Sequence, residues 1–221
     1  MREIVAATFL SLDGVMQAPG GPDEDPTGGF KLGGWIVNYG DAVSNQAVGD
    51  IFAEPFDLLL GRKTYEIFAA HWPFTEDDGA IAEAFNRATK YVASRSGVAL
   101  DWQNSVSLGD DVVARLTALK REEGPRLLIQ GSGDLIQTLL RHDLIDEMQL
   151  MIYPLLLGKG KRLFGQGALP AAMSFIDGKV SPTGVMIGRY RRNGEVKPGS
   201  FAMAEPSQAE IARRRKWAAE G

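Results

Sequence analysis

Apolar residues fall along this chain in short continuous runs separated by amphipathic stretches, and the two spacings predict its elements. Ile4 to Leu10 is a β-rich apolar run ending at the turn signal Ser-Leu-Asp-Gly, and reads as a buried first strand. Ala18 to Gly34 is dense in Gly and Pro without periodicity, a long loop of the kind that serves as a lid or binding segment. From Asp41 to Ala53, residues Val43, Ala47, Val48 and Ile51 recur on one helical face, and Pro55 stops the helix. Phe56 to Leu60 is a second continuous strand, running at once into Gly61-Arg62-Lys63-Thr64 and a short helix from Thr64 to Ala70. Tyr91 to Ala93 is a third strand, ending in Ser94-Arg95-Ser96-Gly97.

The second half repeats this alternation. Asp110 reads as the N-cap of a helix to about Glu123, with Val112, Val113, Leu116 and Leu119 inward, ended by Gly124-Pro125. Arg126 to Gln130 is a strand entering Gly131-Ser132-Gly133, Leu135 to Arg141 a helix, and Ile145 to Tyr153 a strand that closes at Pro154. Ser174 to Asp177 and Val185 to Arg191 read as hairpin strands around Pro182-Thr183-Gly184. Beyond Glu205, Ser207 with Glu210 makes a capping box before a separate terminal helix. Strands that are continuously apolar and alternate with helices predict an α/β fold: a mainly parallel mixed central sheet with helices on both faces, finished by an antiparallel C-terminal hairpin. The expected organisation is one domain over residues 1–195 and a tail over 196–221, with no internal repeat.

Composition narrows the function classes. With 24 basic against 28 acidic residues the net charge is -4, which disfavours an extended nucleic-acid surface but leaves room for a local phosphate pocket. Arg213 to Lys216 would be the exception, although four charges on a terminal helix read equally as a solvated face or a dimer arm. There is no cysteine, and His71 and His142 are the only imidazoles, so no metal site is expected. No stretch reaches the roughly 18 apolar residues of a membrane span, and the amino terminus lacks a signal-peptide pattern. The expectation is a cytoplasmic protein with a small-molecule ligand and neither a membrane nor a nucleic-acid partner.

In open α/β sheets ligands bind beyond the carboxyl ends of the strands, and three such ends carry phosphate chemistry. Gly61-Arg62-Lys63-Thr64 joins a tight turn to a helix start and three donors. Ser94-Arg95 sets a hydroxyl beside a guanidinium, a pair suited to a phosphate monoester such as the 2′-phosphate of NADPH. Gly131-Ser132-Gly133 places small residues at a helix N-terminus, though its spacing is neither G-x-G-x-x-G nor a Walker loop.

Their order, with Leu-Leu-Leu-Gly-Arg-Lys-Thr-Tyr-Glu, Tyr-Val-Ala-Ser-Arg and Leu-Leu-Ile-Gln-Gly-Ser-Gly, resembles the dihydrofolate-reductase superfamily. Leu144-Ile145-Asp146-Glu147 through Tyr153-Pro154, then Leu157-Gly158-Lys159-Gly160 and Leu163-Phe164, is more specifically similar to the RibD C-terminal reductase family, over roughly Ile4 to Arg191. The resemblance implies a dihydrofolate-reductase-like three-layer fold, an NADPH-dependent oxidoreductase and a homodimer. It assigns the pyrophosphate to Gly61, Arg62, Thr64, Gly131, Ser132 and Gly133, with Gln130 and Leu135 beside them, and the adenosine phosphate to Ser94 and Arg95. Leu12, Asp13 and Gly14 would lie beside the nicotinamide and substrate.

The substrate is less defined. Asp41 is the nearest counterpart of the pteridine-binding carboxylate of dihydrofolate reductases, and Gln130 stands where riboflavin-pathway pyrimidine reductases commonly carry glutamate. Two reductase readings stay open: hydride transfer to a C=N or C=O group of a planar heterocycle or carbonyl compound, or reduction of 5-amino-6-(5-phosphoribosylamino)uracil in riboflavin biosynthesis. A non-catalytic nucleotide-binding protein is the alternative of another class. Asp13, Asp41 and Tyr153 are the candidate proton donors, with an ordered water equally possible. Trp35, with Phe68 and Trp72, would floor a planar pocket or belong to the core; Glu147 would be a substrate-binding acid or a strand-edge residue. His71, Lys159 and Lys161 are further polar candidates that read equally as surface residues.

Overall fold

The computed structural model describes residues 1–75, 79–165, 169–202 and 204–220. Among them, β1 (Ile4–Ser11), β2 (Phe56–Gly61), β3 (Lys90–Ala93), β4 (Ser105–Ser107), β5 (Arg126–Gly131), β6 (Glu147–Tyr153), β7 (Met173–Val180) and β8 (Met186–Arg192) form one sheet. Its order is β4-β3-β2-β5-β1-β6-β8-β7. The neighbours from β4 to β6 pair in parallel; β8 runs antiparallel to β6 and β7 antiparallel to β8.

The continuous apolar runs have the predicted cause. Every residue of β2 is buried, and β1 is buried except at half-buried Phe9. Both sheet faces are covered, so both side-chain sets of a strand are apolar. On one face, Val5, Ala7, Leu58, Leu60, Leu128 and Met151 meet Ala47 and Ile51 of α1 (Ala42–Ala53), Tyr65 of α2 (Arg62–Ala69) and Phe85 of α3 (Gly79–Arg87). On the other, Ile4, Ala6, Leu59, Leu127 and Ile129 meet Leu116 and Leu119 of α4 (Val112–Leu119) and Leu135, Ile136 and Leu139 of α5 (Gly133–Arg141). This is the three-layer α/β arrangement.

Several local details differ from expectation. The cap of α4 is Asp111 rather than Asp110: its carboxylate accepts from Ala114 N at 2.9 Å, and the helix ends at Leu119, before Glu123. On α1 the inward face is Ser44, Ala47 and Ile51, while Val43 and Val48 are half-buried. Helix α3 and the three-residue β4 were not foreseen. In the tail, α6 (Gln208–Glu220) starts with Ser207 Oγ accepting from Glu210 N at 3.2 Å. The other half of the box is replaced, because the Glu210 carboxylate takes Arg213 and Arg214 instead. Helix α6 contributes no buried residue, and among the described residues no helix is long and apolar enough to cross a membrane.

Candidate functional site

Because the neighbours from β3 to β6 run parallel, their carboxyl ends line one edge of the sheet. Strand order makes them successive: Ala93 before Ser94-Arg95, Gly61, Gly131, Ser11, and Tyr153. At the ~4.8 Å spacing of adjacent strands this row spans roughly 19 Å. Turns far apart in sequence, such as those at Gly61 and Gly131, thus become neighbours by topology alone.

Helices α2 and α5 begin side by side in the middle of that row. Their N-cap residues, Gly61 and Ser132, have extended backbone and give no side-chain cap, whereas Asp41 caps α1 and Asp111 caps α4. The first-turn N–H groups of α2 and α5 are therefore left for an outside acceptor, and both helix dipoles favour an anion there. The glycines let the two turns interlock. A Cβ on Gly61 would overlap Ser132 Oγ and lie 2.9 Å from Ser132 Cβ; one on Gly131 would lie 2.6 Å from Thr64 Oγ1. The Gly131–Ser132 peptide is cis. Thus Gly61 and Gly131 first serve turn-to-turn packing, which holds the two sets of amides at one place.

At the β3 end, Ser94 Oγ is buried and has no hydrogen-bond partner among the described residues. Arg95 is almost fully exposed, with its guanidinium 3.8 Å from the Asp134 carboxylate in the first turn of α5. Arg62 meets Glu66 at 2.9 Å on the exposed side of α2. Orphaned amides, an orphaned hydroxyl and two accessible guanidiniums on one edge match the donors a phosphorylated dinucleotide requires. Gln130 is half-buried, at the irregularity where β5 carries one residue more than β2 between Leu128 and Gly131. Leu135 is 6% exposed and belongs to the core beneath α5, so it lines the turn only through its backbone.

The candidate proton donors differ sharply. The Asp13 carboxylate accepts from Ser11 Oγ (2.6 Å), Leu157 N (3.1 Å), Gly158 N (2.8 Å) and Arg162 Nη2 (3.1 Å). The Ser11 hydroxyl foremost, with the two amides, holds it at about 2 against the penalty of burial. Asp41 accepts from Val43 N (2.9 Å), Ser44 N (2.8 Å), Thr183 N (3.0 Å) and Thr183 Oγ1 (2.7 Å), and Thr183 above all keeps it well below the usual carboxylate range. Both are ionised anchors at neutral pH and carry no proton to give. Asp13 fastens the 157–162 segment to the end of β1, and Asp41 fastens α1 to the β7–β8 turn.

Tyr153 is the opposite case. It is buried at the end of β6, edge-on to Phe9, Trp35 and Tyr39 at 6.3, 5.4 and 5.9 Å, and burial pushes its hydroxyl up to about 12. It keeps its proton throughout the physiological range. Trp35 is also core, with Nε1 donating to Gln17 O at 2.8 Å. Phe68 and Trp72 pack on Phe85 instead, away from this box, and exposed His71 lies edge-on to Trp72.

Glu147 does not join the site. It opens β6, six residues and thus roughly 20 Å before Tyr153, at the other edge of the sheet. Only 2% exposed, its carboxylate accepts from Arg189 Nε (2.9 Å), Arg191 Nε (3.0 Å) and Gln149 Nε2 (2.9 Å). It pins β8 to β6. A residue overlooked in the sequence, Gln17, organises the long loop instead. Its Nε2 donates to Asp25 O (2.9 Å) and Thr27 O (2.8 Å), and its Oε1 accepts from Lys161 N (3.0 Å). Lys161 pairs with Asp25, and Lys63 of α2 reaches Thr27 Oγ1 at 3.4 Å, so the loop bridges the 157–162 segment and the start of α2. Lys159 stays exposed.

Comparison with known proteins places this geometry. The chain is 26% identical over 200 residues to the uncharacterized protein YyaP of Bacillus subtilis (strain 168), spanning 87% of this chain and 96% of the relative. Its fold is similar to a pyrimidine reductase-like protein of Corynebacterium diphtheriae (TM-score 0.56, 13% identity, 88% of this chain and 93% of the other). It is similar too to the dihydrofolate reductase of Enterococcus faecalis, solved with NADP(H) (TM-score 0.54, 13% identity, 86% and 96%). Residues 2–187 match the RibD C-terminal domain. The chain with this row of strand-end turns belongs to the RibD C-terminal domain family.

Proposed function

We propose that the protein is an NADPH-dependent reductase of a small, planar heterocyclic or carbonyl substrate. The observation that carries this reading is the pair of uncapped helix N-termini, α2 and α5, held together by the Gly61–Ser132 and Gly131–Thr64 contacts. Amides of residues 62–64 and 133–135 would hold the pyrophosphate, with Arg62 and Thr64 adding donors. Ser94, whose hydroxyl lacks a partner, and exposed Arg95 would hold the 2′-phosphate. Bound there, the cofactor would supply hydride for a C=N or C=O carbon.

The substrate side follows from the same row. The end of β1 and the box of Phe9, Trp35 and Tyr39 around Tyr153 form an apolar wall next to the glycine turns. Asp13 and Asp41 would shape that wall without exchanging protons. Tyr153, the one protonated group of the three, would orient a substrate carbonyl or imine as a hydrogen-bond donor, and water would supply the proton.

Titration with NADPH and NADH, followed by nicotinamide fluorescence, tests the cofactor. Binding of NADPH at least about tenfold tighter than NADH, with the preference lost in Arg95→Ala, is the expected outcome. Equal affinity for both, or no binding of either, refutes the assignment.

A further inference from the structure

Phosphate-type donors stand on one side only of the row of strand ends. At the starts of α2 and α5 and the end of β3 are uncapped amides, the unpartnered Ser94 hydroxyl and the accessible guanidiniums of Arg62 and Arg95. The neighbouring ends of β1 and β6 are built otherwise. They lead into segments 12–16 and 155–163, which backbone bonds tie into one frame. Leu12 N donates to Leu155 O at 2.9 Å, Met16 N to Lys161 O at 2.8 Å and Leu163 N to Gly14 O at 3.0 Å.

The cations of this frame are largely neutralised from within. Arg162 donates from Nε to Asp13 O (2.8 Å), and from Nη2 to the Asp13 carboxylate (3.1 Å) and Gly158 O (2.8 Å). Lys161 is paired with Asp25. Among the described residues that leaves exposed Lys159 as the frame's one cation without a carboxylate partner. Segments 12–41 and 154–164 together hold five acidic against four basic residues, so no positive field gathers there for a phosphate. What the frame and its continuation expose is apolar: Leu12 (53% exposed), Leu156 (73%) and Phe164 (51%). Single exposed apolar side chains are ordinary. Three on one hydrogen-bonded frame, next to the box around Tyr153, mark a surface for an apolar ligand.

We propose that the substrate is an uncharged, unphosphorylated ring compound whose apolar substituent lies on Leu12 and Leu156, and that a pyrimidine carrying ribose phosphate is rejected. The place of the ring rests on the reductase reading; the surface that takes the substituent does not. An apolar group laid on the two leucines removes their side chains from water, which favours binding. A phosphate at the same place would lose its own water and meet Asp13 and Asp25, whose cations are engaged.

Two uracils substituted at the same nitrogen test it: 1-benzyluracil, and uridine 5′-monophosphate, which carries ribose phosphate there. Each is titrated into the full chain by saturation-transfer NMR, with and without NADP+, and NADPH binding is measured separately by fluorescence. Wild type is expected to bind 1-benzyluracil at least about tenfold more tightly than the nucleotide. Leu156→Ser should lose about tenfold of that affinity with NADPH binding unchanged. Leu156 is exposed, so circular dichroism should report an intact fold; Leu12→Ser is the second variant. Uridine 5′-monophosphate bound as tightly as 1-benzyluracil overturns the proposal, the more so if Lys159→Ala releases it. So does a preference that survives both leucine substitutions, or binding of neither uracil with or without the cofactor. A leucine-dependent preference for 1-benzyluracil in a protein that binds no NADPH supports the apolar surface and refutes the reductase reading, which separates the two.

Discussion

Glu147 separates a structural from a substrate-binding role for the acidic start of β6, and its replacement by glutamine has a calculable effect. The substitution keeps shape and the capacity to pair with Gln149, but removes the charge that takes Arg189 and Arg191. Hydrogen bonds to charged groups contribute about 1.5–3 kcal/mol each. The carboxylate is buried, but the arginine side chains are 39% and 49% exposed and recover water when released, so each bond belongs at or below the lower end. A net loss of about 2 kcal/mol follows, equivalent to roughly 4–8 °C in Tm for a chain of this size. Burial pushes the Glu147 carboxyl up, but the bonds from Arg189, Gln149 and Arg191 outweigh it and leave it below its ordinary 4.5. A carboxylate lowered in the folded state adds stability above its unfolded value and loses it as pH falls through the folded one. Urea unfolding should therefore show the full difference between wild type and Glu147→Gln at pH 7, narrowing below about pH 4. NADPH affinity should be unchanged. Unaltered stability at pH 7 together with lost cofactor binding would refute the structural reading.

Other substitutions probe the remaining links. Gly61→Ala should destabilise by about 1–3 kcal/mol through overlap with Ser132, and Ser132→Gly should restore part of that loss in the double variant, as measured by urea unfolding. Lys90 is fully buried, donates to Asn86 O at 2.8 Å and lies 4.3 Å over the Trp102 ring; burial lowers it to about 8 despite Asp57. Because the unfolded chain then binds the extra proton, wild-type stability should rise between pH 8 and pH 10 relative to Lys90→Met; parallel profiles would count against a buried charge.

What could be read from the sequence followed from how locally each feature is determined. β1, β2 and β5 announced themselves because burial on both faces makes their runs continuously apolar, as in Leu58-Leu59-Leu60. Helix α3 carried a helical signal, Ile81, Ala82 and Phe85, that was overlooked between polar stretches. β4 carried none, since Ser-Val-Ser becomes a strand only through pairing with β3. Asp110 and Asp111 are equivalent as caps in sequence, and only the reach to Ala114 N distinguishes them.

The three phosphate-type turns were visible because each is a local strand-to-helix junction; their adjacency came from strand order. The surroundings of the carboxylates are hidden in the sequence for the converse reason. Asp13 meets Arg162, Asp41 is held by Thr183 and Glu147 meets Arg189, all more than 40 residues away, and only the Ser11 bond to Asp13, the α1 cap at Asp41 and the Gln149 bond to Glu147 are local. Gln17 went unnoticed likewise, since its partners lie across a loop and at Lys161.

On the proposed reading, the uncapped starts of α2 and α5, flanked by Ser94 and Arg95, receive a phosphorylated dinucleotide. An NMR titration of the backbone amides with NADPH tests it most directly. Saturable shifts are expected at Arg62 to Thr64, Ser94 and Arg95, and Gly133 to Leu135, with β7 and α6 unmoved. Shifts that leave those amides in place and appear elsewhere would contradict it.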